Sequence, residues 1–426
     1  MRALGYVESF LALAQDRVGG AFHIAAAAEL RGPVDHAAFT AALEVLHRRH
    51  PLLGATVHEV VDGPEAGSWR FADEVPFSAV PVRFGTGAVD DDGVAAALGS
   101  DLDDRFAQGG PLWKVDLLEV PGTDRALLSL SMHHVIGDGM SVWTLLGHLV
   151  DVYGELVAGG TPERERRPVQ PPVEHLLPRV DAAVNPWEGT GDVPPPWTFA
   201  PVPFADRATQ VVIRDLEAPL VAALHAGAHR RGTTVNAALV SAIVRASSLL
   251  PGHQVDGQLS VPTNVRPRVV PPVPDDAVGA LFRDVFVAFD EPALAGDLWD
   301  GARLLEQRYL DGAAAQLAWT PDVTPAQLHA DVDPFLDPTR DWYALPMAVT
   351  NLGRLAAGPE DAPLAVESLY ANVSQRTANI GVVLAVATVR DRMHLTFSHT
   401  EPLLGVADTE ALADQVVTLI EAAAGS

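Results

Sequence analysis

Two adjacent histidines, followed by an aspartate and a glycine, are the residues of this sequence best suited to chemistry. His133 and His134 come directly after residues 126–132, where apolar and small residues alternate and predict a buried strand. Continued without a bend, that alternation sends the two imidazoles to opposite faces, so we do not expect them to bind one metal ion together. Because apolar surroundings disfavour imidazolium, His134 is predicted to be an uncharged base near neutral pH.

The residues after the histidines predict a turn and then a helix. Gly137, Asp138 and Gly139 are typical turn residues, and Ser141 is expected to cap a helix whose apolar positions recur at helical spacing as far as Leu156. A histidine at the tip of a strand, beside a turn carboxylate, suits a general base held by a rigid scaffold. The alternative interpretation is a core histidine with structural partners only.

The spacing His-His-x-x-x-Asp-Gly resembles the signature of an acyltransferase superfamily. It includes the condensation domains of nonribosomal peptide synthetases, chloramphenicol acetyltransferase-like enzymes and polyketide-associated protein acyltransferases. Two flanking stretches are also similar to that family: residues 49–53 (Arg-His-Pro-Leu-Leu) end a helix, and residues 111–113 (Pro-Leu-Trp) precede the strand that leads to the histidines. The chain is most similar to the polyketide-associated (PapA-type) branch.

The resemblance implies an α/β fold built from α+β two-layer sandwiches. Two chloramphenicol acetyltransferase-like subdomains would form a pseudo-dimeric V with a central channel. Residues 1–160 are predicted to be the N-terminal lobe that carries the motif, and residues 205–426 the C-terminal lobe. Between them, the Pro-rich residues 161–204 show no periodicity and predict a linker partly packed on the surface.

The resemblance also assigns roles to residues of the site. His134 would be the catalytic base, and His133, Asp138 and Gly139 would support it. In condensation-type members an arginine at the end of a strand pairs with the motif aspartate, which here implies a pair between Asp138 and Arg266. Arg268 competes for that role. Gly139 lets the loop approach closely without a Cβ, and its N–H is a candidate oxyanion donor.

A second element of the family lies in residues 347–354, where Thr350 and Asn351 precede Leu-Gly. It resembles the Ser/Thr-Asn-x-Gly element of the polyketide-associated and wax-ester branches, which implies that Thr350 and Asn351 line the substrate channel. The Asp-Phe-Gly-Trp-Gly motif of the plant branch does not occur, which disfavours a plant-type assignment.

Composition excludes several other classes of function. The 426 residues carry a formal charge of −26 and contain no cysteine, so a nucleic-acid partner, a disulfide framework and a thiolate metal site are not expected. No apolar run is long enough to cross a membrane, and we expect a cytoplasmic monomer. Neither a phosphate-binding glycine loop nor a Gly-x-Ser-x-Gly nucleophile turn is present. We expect no metal site and no resident cofactor.

We therefore predict an acyltransferase that moves an acyl group from a thioester to a hydroxyl of a lipid or secondary metabolite. The co-substrate would be acyl-CoA or a phosphopantetheinyl thioester on a carrier protein. One alternative is a free-standing condensation enzyme that forms an amide. The other is a catalytically silent binding module. An anionic donor would need a local basic patch, and three clusters are candidates: residues 48–49, 164–167 and 229–231.

Overall fold

The computed structural model describes residues 2–107, 109–178, 183–185, 198–250, 252, 255–321, 324–359 and 362–425. Its helices are α1 (Tyr6–Val18), α2 (His36–Arg49), α3 (Asp91–Asp103), α4 (Gly139–Val157), α5 (Val173–Leu176), α6 (Ala218–Arg230), α7 (Val235–Ala246), α8 (Glu291–Leu294), α9 (Leu298–Leu317), α10 (Pro325–Val332) and α11 (Val406–Ala424). None of these helices is both long enough and apolar enough to span a lipid bilayer.

The strands are β1 (His23–Arg31), β2 (Ala55–Glu59), β3 (Trp69–Glu74), β4 (Val82–Thr86), β5 (Trp113–Glu119), β6 (Arg125–His133), β7 (Ala208–Leu216), β8 (Gly257–Asn264), β9 (Phe282–Phe289), β10 (Leu345–Arg354), β11 (Ala365–Val373), β12 (Ile380–Val389) and β13 (Arg392–Glu401). They form one five-stranded sheet, one six-stranded sheet and the small hairpin β2–β3.

The first sheet has the order β11-β1-β6-β5-β4, with the motif strand β6 at its centre. The alternation predicted along β6 is present: Leu128 and Leu130 join the core beneath α2 and α4, whereas Leu127 faces the core beneath α3. Because β1 and β5 pair with β6 on both sides, the end of β6 is held by its neighbours. The position of His133 is therefore fixed by a buried, fully paired strand.

The second sheet has the order β7-β13-β12-β10-β8-β9 and presents two different faces. One face packs against α6, α7, α9 and α11 through alternate apolar residues such as Val261, Val285 and Val349. Strand alternation places Ser260, Asp284 and Thr350 on the other face. That face looks towards the first lobe, where Leu352 of β10 packs against the core of the first sheet.

The predicted lobe boundaries, residues 1–160 and 205–426, do not separate the strands of the two sheets. Strand β11 comes from the C-terminal half of the chain but pairs with β1 at the edge of the first sheet. Its Asn372 donates to Val383 O (3.1 Å) and Thr396 O (2.8 Å) of the second sheet and accepts from the Ser398 hydroxyl (2.8 Å). Strand β11, which the C-terminal half contributes to the first sheet, therefore joins the two lobes through buried polar contacts.

Replacing Asn372 by alanine is expected to lower the free energy of unfolding by about 3 kcal/mol, since buried groups on β12 and β13 lose their partner. Denaturant titration measures the change. The matched control is Gln307→Ala on α9, where the amide contacts only Asp311 at the surface and the expected change stays within about 0.5 kcal/mol. Equal midpoints for the two variants would contradict the role assigned to Asn372.

The predicted surface linker is built into the structure along part of its length. Within residues 161–204, α5 buries Val173 and Leu176 in the core of the second lobe. Glu174 accepts from the Val7 N–H at the start of α1 (2.9 Å) and contacts Arg283 of β9 (3.5 Å). The prediction was a linker partly packed on the surface, and at α5 the packed part is an apolar contact with the core of the second lobe. Residues 179–182 and 186–197 of this segment lie outside the described residues.

Candidate active site

The motif loop begins where β6 ends. His133 is buried at the last position of β6, and its Nδ1 accepts the Val135 N–H (3.0 Å), which fixes the short turn His134–Ile136. Burial, with the nearby His23 and His134, holds the pKa of His133 well below the ordinary 6.5. His133 is thus an uncharged structural acceptor that shapes the loop.

His134 lies at the seam between the lobes. Its peptide N–H donates to Phe22 O (3.0 Å), and its Nδ1 lies 2.8 Å from Gly137 O. Because a carbonyl oxygen only accepts, Nδ1 carries the proton and Nε2 presents a lone pair. The ring lies 4.6 Å from the Phe282 ring of the second lobe and is partly exposed.

The protonation state of His134 follows from its surroundings. Burial lowers the pKa of His134, whereas Asp138, the carbonyl of Gly137 and Asp284 oppose that shift. The net direction is downward from 6.5, so the imidazole is uncharged at neutral pH. An uncharged ring with a free Nε2 lone pair has the form that a general base requires.

Asp138 is fixed by a set of donors that occupies both of its oxygens. Oδ1 accepts from Ser141 N (2.8 Å), Ser141 Oγ (2.8 Å) and Arg266 Nη2 (2.9 Å). Oδ2 accepts from Arg266 Nη1 (2.8 Å) and Leu281 N (3.0 Å). Burial raises the pKa of Asp138, but Arg266 and Ser141 outweigh it and hold the pKa below the usual 3.8. The carboxylate stays ionised and braces the loop against the second lobe.

Two details differ from the sequence predictions. Asp138, not Ser141, is the N-cap of α4, because its carboxylate reaches the Ser141 N–H. Arg266, expected at the end of a strand, instead lies in the short turn that follows β8, which ends at Asn264. There Arg266 is buried and also donates to Ala277 O, whereas Arg268 is exposed. The turn places the Arg266 guanidinium next to the Asp138 carboxylate.

Gly139, at the first position of α4, allows strand β10 to pass close to the loop. A Cβ at this position would lie 2.6 Å from Leu352 Cδ2, closer than two carbons approach without contact strain. Thr350 lies on the face of β10 opposite Val349, which is in the core beneath the helices, and therefore faces the seam. Asn351 lies on the opposite face, and its Oδ1 accepts the Gly353 N–H (2.8 Å). The two residues predicted to line one channel thus diverge, and a channel role for Asn351 stays a prediction.

Strand β9 contributes residues that the motif-based prediction did not name. The Phe282 ring is tilted by 30° against the His134 ring, and Asp284, two residues further on, lies on the same face of β9. The Ser260 hydroxyl of β8 donates to Asp284 Oδ1 (2.6 Å). The sequence contained one signal for Asp284, because this acidic residue occupies an alternating position in an apolar strand. Among the described residues, no group of three His, Asp or Glu side chains could hold a metal ion.

Comparisons with known sequences match the part of the chain that carries the motif. Residues 12–171, which include the motif, match the family model of the Condensation domain. The nonribosomal peptide synthetase kk1B of Curvularia clavata is 34% identical over 149 residues, which are 35% of this chain and 1% of that protein. The chain therefore spans a very small part of such relatives.

Solved structures resemble the whole chain. The first condensation domain of the calcium-dependent antibiotic synthetase superposes with a TM-score of 0.73 at 16% identity, covering 100% of this chain and 97% of that one. Trichothecene 15-O-acetyltransferase from Fusarium sporotrichioides gives 0.72 at 15% identity, covering 99% and 95%. Polyketide synthase associated protein 5 from Mycobacterium tuberculosis gives 0.66 at 16% identity, covering 98% and 97%.

The structural similarities define the fold of the protein. The chain has the two-subdomain fold shared by condensation domains and chloramphenicol acetyltransferase-like acyltransferases, which confirms the predicted fold class. Within this fold, residues 12–171 match the Condensation domain.

Proposed function

We propose that this protein transfers an acyl group from a thioester to an acceptor nucleophile, with His134 as the general base. The observation that carries the proposal is the state of His134: an uncharged imidazole, held by Gly137 O through Nδ1, with its Nε2 lone pair at the seam between the lobes. The match of residues 12–171 to the Condensation domain and the occupied, ionised Asp138 support it. A braced loop beside a free base suits direct transfer between two bound substrates.

The chemistry needs no covalent enzyme intermediate. His134 Nε2 accepts the proton of the acceptor as its oxygen or nitrogen attacks the thioester carbonyl. The carbon–sulfur bond then breaks, and the proton passes from Nε2 to the departing thiolate. The Gly139 N–H, in the first turn of α4, is our candidate donor to the carbonyl oxygen as it becomes negative. Asp138 carries no proton, since its oxygens are all engaged.

The preferred acceptor in this proposal is a hydroxyl of a lipid or secondary metabolite. A trichothecene 15-O-acetyltransferase among the structural neighbours supports that choice. The match of residues 12–171 to the Condensation domain favours the second candidate, amide formation with an amine acceptor. A catalytically silent binding module is the third, and it predicts thioester binding without turnover.

Donor and partner are further parts of the proposal. The donor is acyl-CoA or a carrier-bound phosphopantetheinyl thioester, and the starter condensation domain of rhizomide synthetase, a structural neighbour, was solved with a C8-CoA. Arg49, at the end of α2, and Arg166 and Arg167, which follow α4, bring two of the predicted basic clusters together, since Arg167 N donates to Arg49 O (2.8 Å). That patch is our candidate docking point for an anionic donor. A monomeric, cytoplasmic protein stays a prediction.

Release of free thiol tests the proposal directly, because the protein has no cysteine and adds no background to a thiol reagent. The purified chain is incubated with acyl-CoA or an acylated carrier protein, each with an alcohol or an amine acceptor. Thiol release that requires acceptor and His134 supports acyl transfer, and the better acceptor separates ester from amide formation. Binding of the thioester without thiol release under all four pairings would favour the silent module.

A further inference from the structure

Asp284 of β9 is an acidic side chain of the second lobe that faces the motif imidazole. Its neighbour on the same strand face, Phe282, lies 4.6 Å from the His134 ring. The intervening Arg283 points to the opposite face, where it contacts Glu174 (3.5 Å) and donates to Trp319 O (2.6 Å). Strand alternation therefore separates Asp284 from the arginine next to it in sequence and turns it towards the seam.

The charge of Asp284 lacks a cationic partner among the described residues. Its one hydrogen bond there comes from the Ser260 hydroxyl to Oδ1 (2.6 Å). Asp138 differs in this respect, because Arg266 contacts both of its oxygens. Both carboxylates raise the pKa of His134, Asp138 more strongly than Asp284. Asp138 is committed to its ion pair with Arg266, whereas Asp284 is a carboxylate near His134 for which the described residues provide no ion pair.

The electrostatics of Asp284 agree with a site that favours a neighbouring cation. Burial raises the pKa of Asp284, while the Ser260 hydrogen bond, Arg283 and His134 oppose the rise. A partly desolvated carboxylate of this kind is stabilised when positive charge develops beside it. In the proposed reaction, the group that becomes positive is His134, for as long as Nε2 holds the proton of the acceptor.

We propose that Asp284 is a positioning residue that, together with Asp138, stabilises the protonated form of His134 during acyl transfer. Its catalytic consequence rests on the proposed function, whereas its effect on the imidazole does not. The groups that face His134 are Asp138 with Arg266, Asp284 from β9, and the uncharged His133 and Phe22 carbonyl. Loss of the Asp284 charge therefore removes one of the two carboxylates that favour protonated His134 and leaves Asp138.

The test is an NMR titration of His134 in the intact protein, with its ring signal assigned by its loss in His134→Gln. Asp284→Asn keeps an acceptor for Ser260 but removes the charge. Because imidazolium then loses a stabilising neighbour, protonation requires a lower pH, and the pKa of His134 should fall by about one unit. In acyl-transfer assays the acid limb of kcat/KM should move the same way, and kcat should fall about tenfold.

Two further variants keep the inference open to contradiction. Asp256→Asn removes the same charge from an exposed position just before β8 and should leave the His134 titration unchanged. Asp284→Glu retains the charge and should keep the pKa of His134 near the wild-type value even where packing is disturbed. An unchanged His134 titration in folded Asp284→Asn, or an equal shift in Asp284→Glu, would overturn the inference. If the pKa of His134 shifts in Asp284→Asn but the wild-type protein transfers no acyl group, the inference stands and only the proposed function is refuted.

Discussion

Alanine at position 134 is expected to reduce acyl transfer by a factor of about 10² to 10⁴, the usual contribution of a positioned general base. The variant loses the Nε2 lone pair but keeps the fold, since the ring is partly exposed and its one bond is to Gly137 O within the same loop. Initial rates of thiol release measure the effect. The matched control is His225→Ala on the exposed face of α6, with wild-type rates expected.

The pH dependence of the wild type provides a second check on the same residue. Burial places the pKa of His134 below 6.5, so the uncharged base persists at neutral pH and is lost only as the pH falls further. The acid limb of kcat/KM should therefore lie below pH 6.5 and disappear in His134→Ala. Residual transfer by His134→Ala at the wild-type rate, with the same acid limb, would refute the assignment of the base.

The second large effect is expected at Arg266. Arg266→Ala should lower the free energy of unfolding by about 3–5 kcal/mol, the usual result when one member of a buried ion pair is removed. Asp138 and Arg266 are each only 4% exposed, so water cannot replace the guanidinium. Denaturant titration gives the change. As a control, Arg167→Ala breaks a pair with Asp276 that is 42% and 34% exposed, where at most about 1 kcal/mol is expected.

Acid titration of stability follows from the same pair. The folded pKa of Asp138 is depressed, so its stabilising contribution is full above the unfolded pKa near 3.8 and is lost as the pH falls through the folded value.

Adding Asp138→Asn to Arg266→Ala should restore part of the lost stability, because it removes the unpaired charge. A double variant as unstable as the sum of the two single variants would contradict a direct pairing energy.

The sequence was sufficient for those parts of the site that depend on local pattern. Alternation along β6 located the end of the strand at the histidines, and the turn residues located the start of α4. The cap was assigned to Ser141 because serine and aspartate are both good caps. Only the distance from the Asp138 carboxylate to the Ser141 N–H distinguishes the two.

The parts that the sequence did not reveal depend on contacts between distant segments. No strand was predicted at residues 365–373, and no sequence pattern indicates that β11 pairs with β1 rather than with its neighbours in the chain. The importance of Asp284 depends on which face of β9 meets the motif loop, and that is a contact between distant segments. The orientation of Asn351 away from Thr350 follows from strand alternation and was available from the sequence.

The position of β11 has a consequence for how the chain acquires its structure during synthesis. One edge of β1 has no partner until residue 373 has left the ribosome. The sheet that carries the motif therefore stays incomplete while more than 200 later residues are synthesised. A fragment that ends before Ala365 would expose an unpaired edge, which invites association with other chains. Expression of the family-matched region alone is therefore a poor route to a working catalyst, and attempts to exchange one half between relatives should carry β11 along with β1.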